Sequence, residues 1–153
     1  GNIDGLFDGT VKPGVKGRRI RDVLDGTSNT IVFVESAGRP QIWQSKSGRV
    51  PGSGELSSSG ANYVAVSSWA AGNLFVARGY EYDATEVDVH DRWSSPGAQM
   101  INASNKYAVY SFHVGGAHVA FVDGSVHFLT ESTSADVMCK LLTIAGGEVI
   151  GEY

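Results

Sequence analysis

Three of the chain's four histidines fall between Ser111 and Leu129 (SFHVGGAHVAFVDGSVHFL): His113, His118 and His127. Imidazole is the commonest metal ligand among side chains and the usual general base near neutral pH. The same stretch holds Gly115-Gly116 and Asp123-Gly124, dipeptides suited to two-residue hairpin turns. Such turns fix a register. Across the first, Val114 faces Ala117, His113 faces His118 and Phe112 faces Val119. Across the second, Val122 faces Ser125, Phe121 faces Val126, Ala120 faces His127 and Val119 faces Phe128. The strand period of two then assigns the faces. Tyr110, Phe112, Val119, Phe121, Val126 and Phe128 form a core face, and the three histidines share the other face with Ser111, Ala120, Val122, Ser125 and Leu129. His113 and His118 are expected directly opposed, with Cβ atoms about 5 Å apart, and His127 diagonal to His118 at roughly 7–8 Å. Three imidazoles around an open position suit catalytic zinc. His113, His118 and His127 are therefore the candidate metal ligands. The plainer alternative is a polar, half-exposed sheet face.

Asp123 is not the expected partner of His113. The register sets it at the far end of the meander, roughly 16 Å of strand from His118. It fits better as the first residue of a type I′ turn, where a short polar side chain tolerates positive φ. A Ser111–His113–carboxylate triad is disfavoured, since no nucleophile elbow accompanies it. Asp83, Glu86, Asp88 and Asp91 form an acidic run that could attract calcium, but the EF-hand pattern is absent and a solvated surface is the simpler reading. Trp43, Trp69, Tyr80, Tyr82 and Trp93 could build a sugar-binding platform, against the alternative of ordinary aromatic packing. Of these, Trp43, Tyr80, Tyr82 and Trp93 are retained as the binding candidates. No phosphate-binding loop or dinucleotide fingerprint is present.

The elements that must position these residues are mainly strands. Ile20 to Leu24 suggests a short helix, stopped by Asp25-Gly26. DGTSNT is a dense turn and cap signal, and Thr30 to Glu35 (TIVFVE) reads as a strand. Residues 38–60 read as a long exposed loop. Strands are expected at 62–69 and 74–76, strand or irregular loop at 80–93, and turns at 94–105. Ser134 to Ala145 (SADVMCKLLTIA) is the clearest helix, capped by Ser134 and ended by Gly146-Gly147. A short strand, 148–150, closes the chain. The expected fold class is α+β: an antiparallel sheet or meander (108–129) with a C-terminal helix, in one domain spanning 1–153.

Composition narrows the function. The 153 residues carry a net charge of −4, and the only basic cluster is KGRRIR at 16–21, which argues against nucleic acid as a partner. The single cysteine, Cys139, cannot form an internal disulfide and falls in the apolar helical pattern. No apolar run is long enough to cross a bilayer as a helix.

Several motifs together resemble a known family. His113, nine residues and then Asp123-Gly124 resembles the His-x9-Asp-Gly domain at the C-terminus of prepilin-type proteins, which are abundant in planctomycetes and of uncharacterised function. Asp25 to Glu35 (DGTSNTIVFVE) resembles its second hallmark. Ile101-Asn102, YSFHVGG at 110–116 and AGGEVI at 145–150 match as well. The hallmark positions are Asp25, Gly26, Asn29, Glu35, His113, Gly115, Gly116, Asp123 and Gly124. The resemblance runs from about residue 20 to the end.

The resemblance implies a pilin-like α/β roll lacking the long N-terminal helix, outside the cytoplasm, at the surface or in a secretion system. Its implied partners are other pilin-like subunits or cell-surface components, and its implied contact with a membrane is only through that helix. Relatives often carry Pro at position 114, Asn or an apolar residue at 118, and Arg at 127, so only His113 follows the family pattern. Cysteines often flank the Ile-Asn stretch in relatives; Met100 and Ala103 stand there here. Three functions follow as expectations: a pseudopilin-like structural module with no resident cofactor, a polysaccharide-binding module, or a metal-dependent hydrolase on the three histidines; the ions to expect are zinc at the histidines or calcium at the acidic run.

Overall fold

Ala117, Val119 and Phe121 alternate with His118 and Ala120, and this period of two builds the central strand. The computed structural model describes residues 18–45, 48–51, 53, 79–80, 86–87, 99–105, 108–147 and 150, with the backbone alone at 79–80 and 86–87. The strands are β1 (Ile31–Val34), β2 (Trp43–Gln44), β3 (Gly48–Arg49), β4 (Gly79–Tyr80), β5 (Glu86–Val87), β6 (Gly116–Phe121) and β7 (Val126–Thr130). The helix α1 spans Ala135–Leu142, and Ile20–Asp22 makes a single 3-10 turn. β1, β6 and β7 form an antiparallel three-stranded sheet with β6 in the centre. Two short antiparallel pairs, β2–β3 and β4–β5, lie outside it. The fold class is α+β, as expected.

The inner face of the sheet packs on α1. Ala117, Val119, Phe121 and Leu129 bury against Met138 and Leu141. The helix begins where Ser134 Oγ accepts from Val137 N at 3.3 Å, and Asp136 pairs with Lys140 one turn on at 2.7 Å. It stops at Leu142, short of the expected Ala145. The DGTSNT segment takes over its end: Leu24 N and Asp25 N both donate to Ile144 O, and Thr30 Oγ1 donates to Thr143 O. Residues 100–105, within the stretch expected as turns, are buried; Met100, Ile101 and Ala103 are nearly inaccessible. The loop expected from residue 38 contains β2–β3 and the buried Ile42. The expected strands at 62–69 and 74–76 lie outside the described residues, as does most of 148–150.

The hairpin register differs from expectation by one residue. Ala120 pairs with Val126, Val119 with His127, and His118 with Phe128. The loop is three residues long, not two. Gly124 N donates to Phe121 O, Phe121 N donates to Ser125 O, and Gly124 holds φ +89°. That is a turn followed by a glycine bulge, the usual three-residue connection. Asp123 therefore needs no positive φ; its carboxylate accepts from Ser125 N and Oγ instead. One slipped residue flips a strand's faces. Val126 and Phe128, expected in the core, are exposed, and Leu129 is buried.

Gly115-Gly116 is not a hairpin turn. Tyr110 already donates to Glu35 O and accepts from Ala37 N, and Val109 O accepts from Asn102 N. Residues 109 and 110 thus make parallel bridges to Ile101 and Ser36 and have no ladder left for β6. Phe112, expected in the core, sits exposed on the turn that follows.

Asp25 latches the two ends of the described fold. Its carboxylate accepts from Gly146 N at 2.7 Å, Gly147 N at 2.8 Å and Thr143 Oγ1 at 3.1 Å. Desolvation pushes this carboxyl up, but the Gly147, Gly146 and Thr143 hydrogen bonds together outweigh it and hold it below the ordinary 3.8. The latch is fully present above that ordinary value and is lost as pH falls through the lower folded-state value. Asp25→Ala should cost about 2 kcal/mol at pH 7. Urea melts should show the gap to the parent closing in strong acid; a gap constant with pH would refute the carboxylate's role.

Candidate functional site

The turn from Ser111 to Gly115 is built on Asn102. This residue is buried in left-handed backbone at φ +58°. Its Oδ1 accepts from Ser111 N at 2.8 Å, and its Nδ2 donates to Gly116 O at 3.0 Å and to His113 O at 3.5 Å. Ser111 Oγ closes the turn by donating to Gly116 O and accepting from His113 N. The turn is thereby fixed at both ends, and His113 projects from it.

His113 comes to His118 on β6 and to Glu35 just past β1. The two imidazoles meet edge to face, with ring centroids 4.9 Å apart. Glu35 Oε1 lies 3.5 Å from His113 Nε2 and 3.6 Å from His118 Nδ1. Glu35 Oε2 accepts from His118 N at 2.8 Å, and Tyr110 N donates to Glu35 O. The carboxylate is tied on one side and turns its other oxygen to the imidazoles. One ligand atom from each of the three residues lies within 4.8 Å of the other two. A shallow open groove runs beside them, lined by Glu35, Ser36, Ala37, Ser111, Phe112 and His113.

His127 does not join this cluster. Pairing with Val119 sets it on the opposite side of the sheet from His118. Its ring packs edge-on to Phe121 at 5.0 Å, and Nε2 lies 3.2 Å from Ser125 Oγ. The expected trio is thus corrected to a pair of histidines plus Glu35. In the sequence Glu35 stands out only as a hallmark residue; the strand pattern around it is legible there, but the pairing of β1 with β6 is not.

Trp43 is half-buried, edge-on to Phe112 at 5.1 Å, and Phe112 meets Tyr110 at 5.8 Å. Trp69, Tyr82, Trp93 and the Tyr80 side chain lie outside the described residues, as do Asp83, Asp88 and Asp91. Asp123 is fully exposed, and its hydrogen bonds from Ser125 lower its carboxyl pKa. Asp123 N donates to Thr27 O and Val122 N to Thr30 O, so the Asp-Gly turn packs against the DGTSNT segment. Asn105 belongs to no motif of the sequence, yet it is wholly buried. Its amide donates to Ala37 O and Gln41 O, and its Oδ1 accepts from Trp43 N. The spacing of Asn102 and Asn105 within an apolar stretch (MINASN) was its one available signal.

No curated protein and no solved structure matches the chain. Residues 3–136, most of the sequence, match the family described as Protein of unknown function (DUF1559), and the chain belongs to that family.

Proposed function

We propose that the chain is an extracytoplasmic structural module, similar to pseudopilins, that works by assembling with other pilin-like subunits. The observation that carries this reading is the use made of the hallmark residues. Asp25 caps Gly146 and Gly147, Asn29 donates to Asp25 O, and Asp123 shapes its own turn. Such residues are joints of a scaffold. The outer face of the sheet presents the exposed Val126 and Phe128, and the 111–115 turn presents the exposed Phe112 and Val114. Exposed large apolar side chains suit a protein partner, and the resemblance to prepilin-type proteins makes another pilin-like subunit the partner of choice.

A photo-crosslinking residue at position 128 of the native gene product, expressed in its own host, tests this. Adducts with pilin-like subunits are expected, in the envelope or secreted fraction. A protein confined to the cytoplasm, or one with no such adduct from position 128, would overturn the reading.

A further inference from the structure

We propose that Glu35, His113 and His118 form a binding site for a divalent transition-metal ion, best suited to zinc, with one coordination position open to the neighbouring groove. The proposal is independent of the assembly reading.

The ligand chemistry comes first. Two imidazoles and one carboxylate are a set that zinc accepts, leaving the fourth position to water or an incoming group. The distances agree. Zinc bonds to nitrogen and oxygen at about 2.0–2.2 Å, so tetrahedral neighbours stand about 3.4 Å apart. Glu35 Oε1 lies 3.5 and 3.6 Å from the two imidazole nitrogens, close to that spacing without any rearrangement. The three ligand atoms sit within 4.8 Å of one another, and both imidazoles are about half exposed, so small ring rotations close the remaining gap.

The support behind the ligands comes next. A metal site needs its ligands oriented by outer hydrogen bonds. Glu35 is held at both ends, Oε2 by His118 N and its carbonyl by Tyr110 N. The His113 backbone is held by Ser111 Oγ and Asn102. His118 is central in the sheet, and its ring lies edge-on to Phe128 at 5.1 Å. Glu35 stands 83 residues before His118, so a bound ion would clamp the end of β1 to the 111–116 turn and to β6, which follows that turn directly. Glu35 and His113 also line the groove beside Ser111 and Phe112, and a carboxylate or other oxygen donor entering it could complete the shell.

The experiment is calorimetric titration of zinc chloride into the tag-free full chain, with His118→Ala, His113→Ala and His127→Ala alongside. One ion per parent chain is expected. Loss of a ligand histidine should weaken binding by more than about a hundredfold, beyond the 10- to 100-fold effect typical of losing an outer-shell partner. His127→Ala should bind as the parent does. In the parent itself, the ring nitrogen NMR signals of His113 and His118 should shift on adding zinc while those of His127 stay. This readout needs no variant and stands even where a substitution harms folding. No saturable zinc binding, equal binding by parent and His118→Ala, or a shift at His127 alone would overturn the proposal.

Discussion

An Asn102→Ala chain should lose about 4 kcal/mol of stability, from two separable causes. Asn102 holds φ +58°, which a side chain other than Asn or Asp adopts at a cost of about 1–2 kcal/mol. Its amide also serves Ser111 N and Gly116 O in a buried place, with a longer contact to His113 O. Each such bond contributes about 1 kcal/mol, and more where a buried group is left without a partner. Asn102→Gly separates the causes. Glycine tolerates the backbone, so this variant should retain about 1 kcal/mol more than the alanine variant. Urea melts of both chains check this. Equal losses would remove the conformational part of the account, and a loss below about 1 kcal/mol in both would remove the amide's part as well.

The second large effect is expected at the other end of the same hydrogen bond. A Cβ on Gly116 would overlap Leu129 O and the Phe128 ring. The overlapped atom is backbone in the paired strand, so relief must come from shifting β6 against β7. Gly116→Ala should therefore cost about 3 kcal/mol, the upper end of ordinary overpacking. Gly115→Ala is the contrast. Its Cβ would meet nothing within 4 Å, and its φ of +82° is the only penalty, about 1–2 kcal/mol. Thermal melts that rank Gly115→Ala as the more damaging would contradict the close approach of the two strands.

Sequence pattern revealed elements better than their relations. TIVFVE and SADVMCKLL carried strand and helix signals strong enough to survive in the structure, because β-branched alternation and an apolar stripe with a cap are local properties. The register was not local. Asp-Gly fits a two-residue and a three-residue hairpin equally well, and the choice rests on where Phe121 finds its acceptor. Ser125 O supplies it. That single residue moved His127 off the candidate site and Val126 and Phe128 out of the core.

The site itself was half legible. His113 and His118 meet as expected, though through a turn built on Asn102 and not through a hairpin ladder. Glu35 completes the cluster across 83 residues of sequence from His118, a separation no local pattern encodes. The burial of 100–105 was hidden for a related reason. Ser, Asn and Ala there look like turn residues, but Asn102 and Asn105 bury their amides by satisfying the backbone of distant segments.

The Asp25 latch also has a consequence for how the chain folds. Its bonds join residues 118 to 122 apart, whereas β6, β7 and α1 follow one another within 27 positions, from Gly116 to Leu142. Closing the longer loop removes more chain entropy before any contact offsets it. The hairpin and helix are thus the natural nucleus, and the DGTSNT segment docks onto a helix end already formed. Contacts made after the barrier govern how fast a protein opens, not how fast it folds. The hallmark aspartate is accordingly a kinetic bolt, setting the lifetime of the closed chain more than the speed of its assembly.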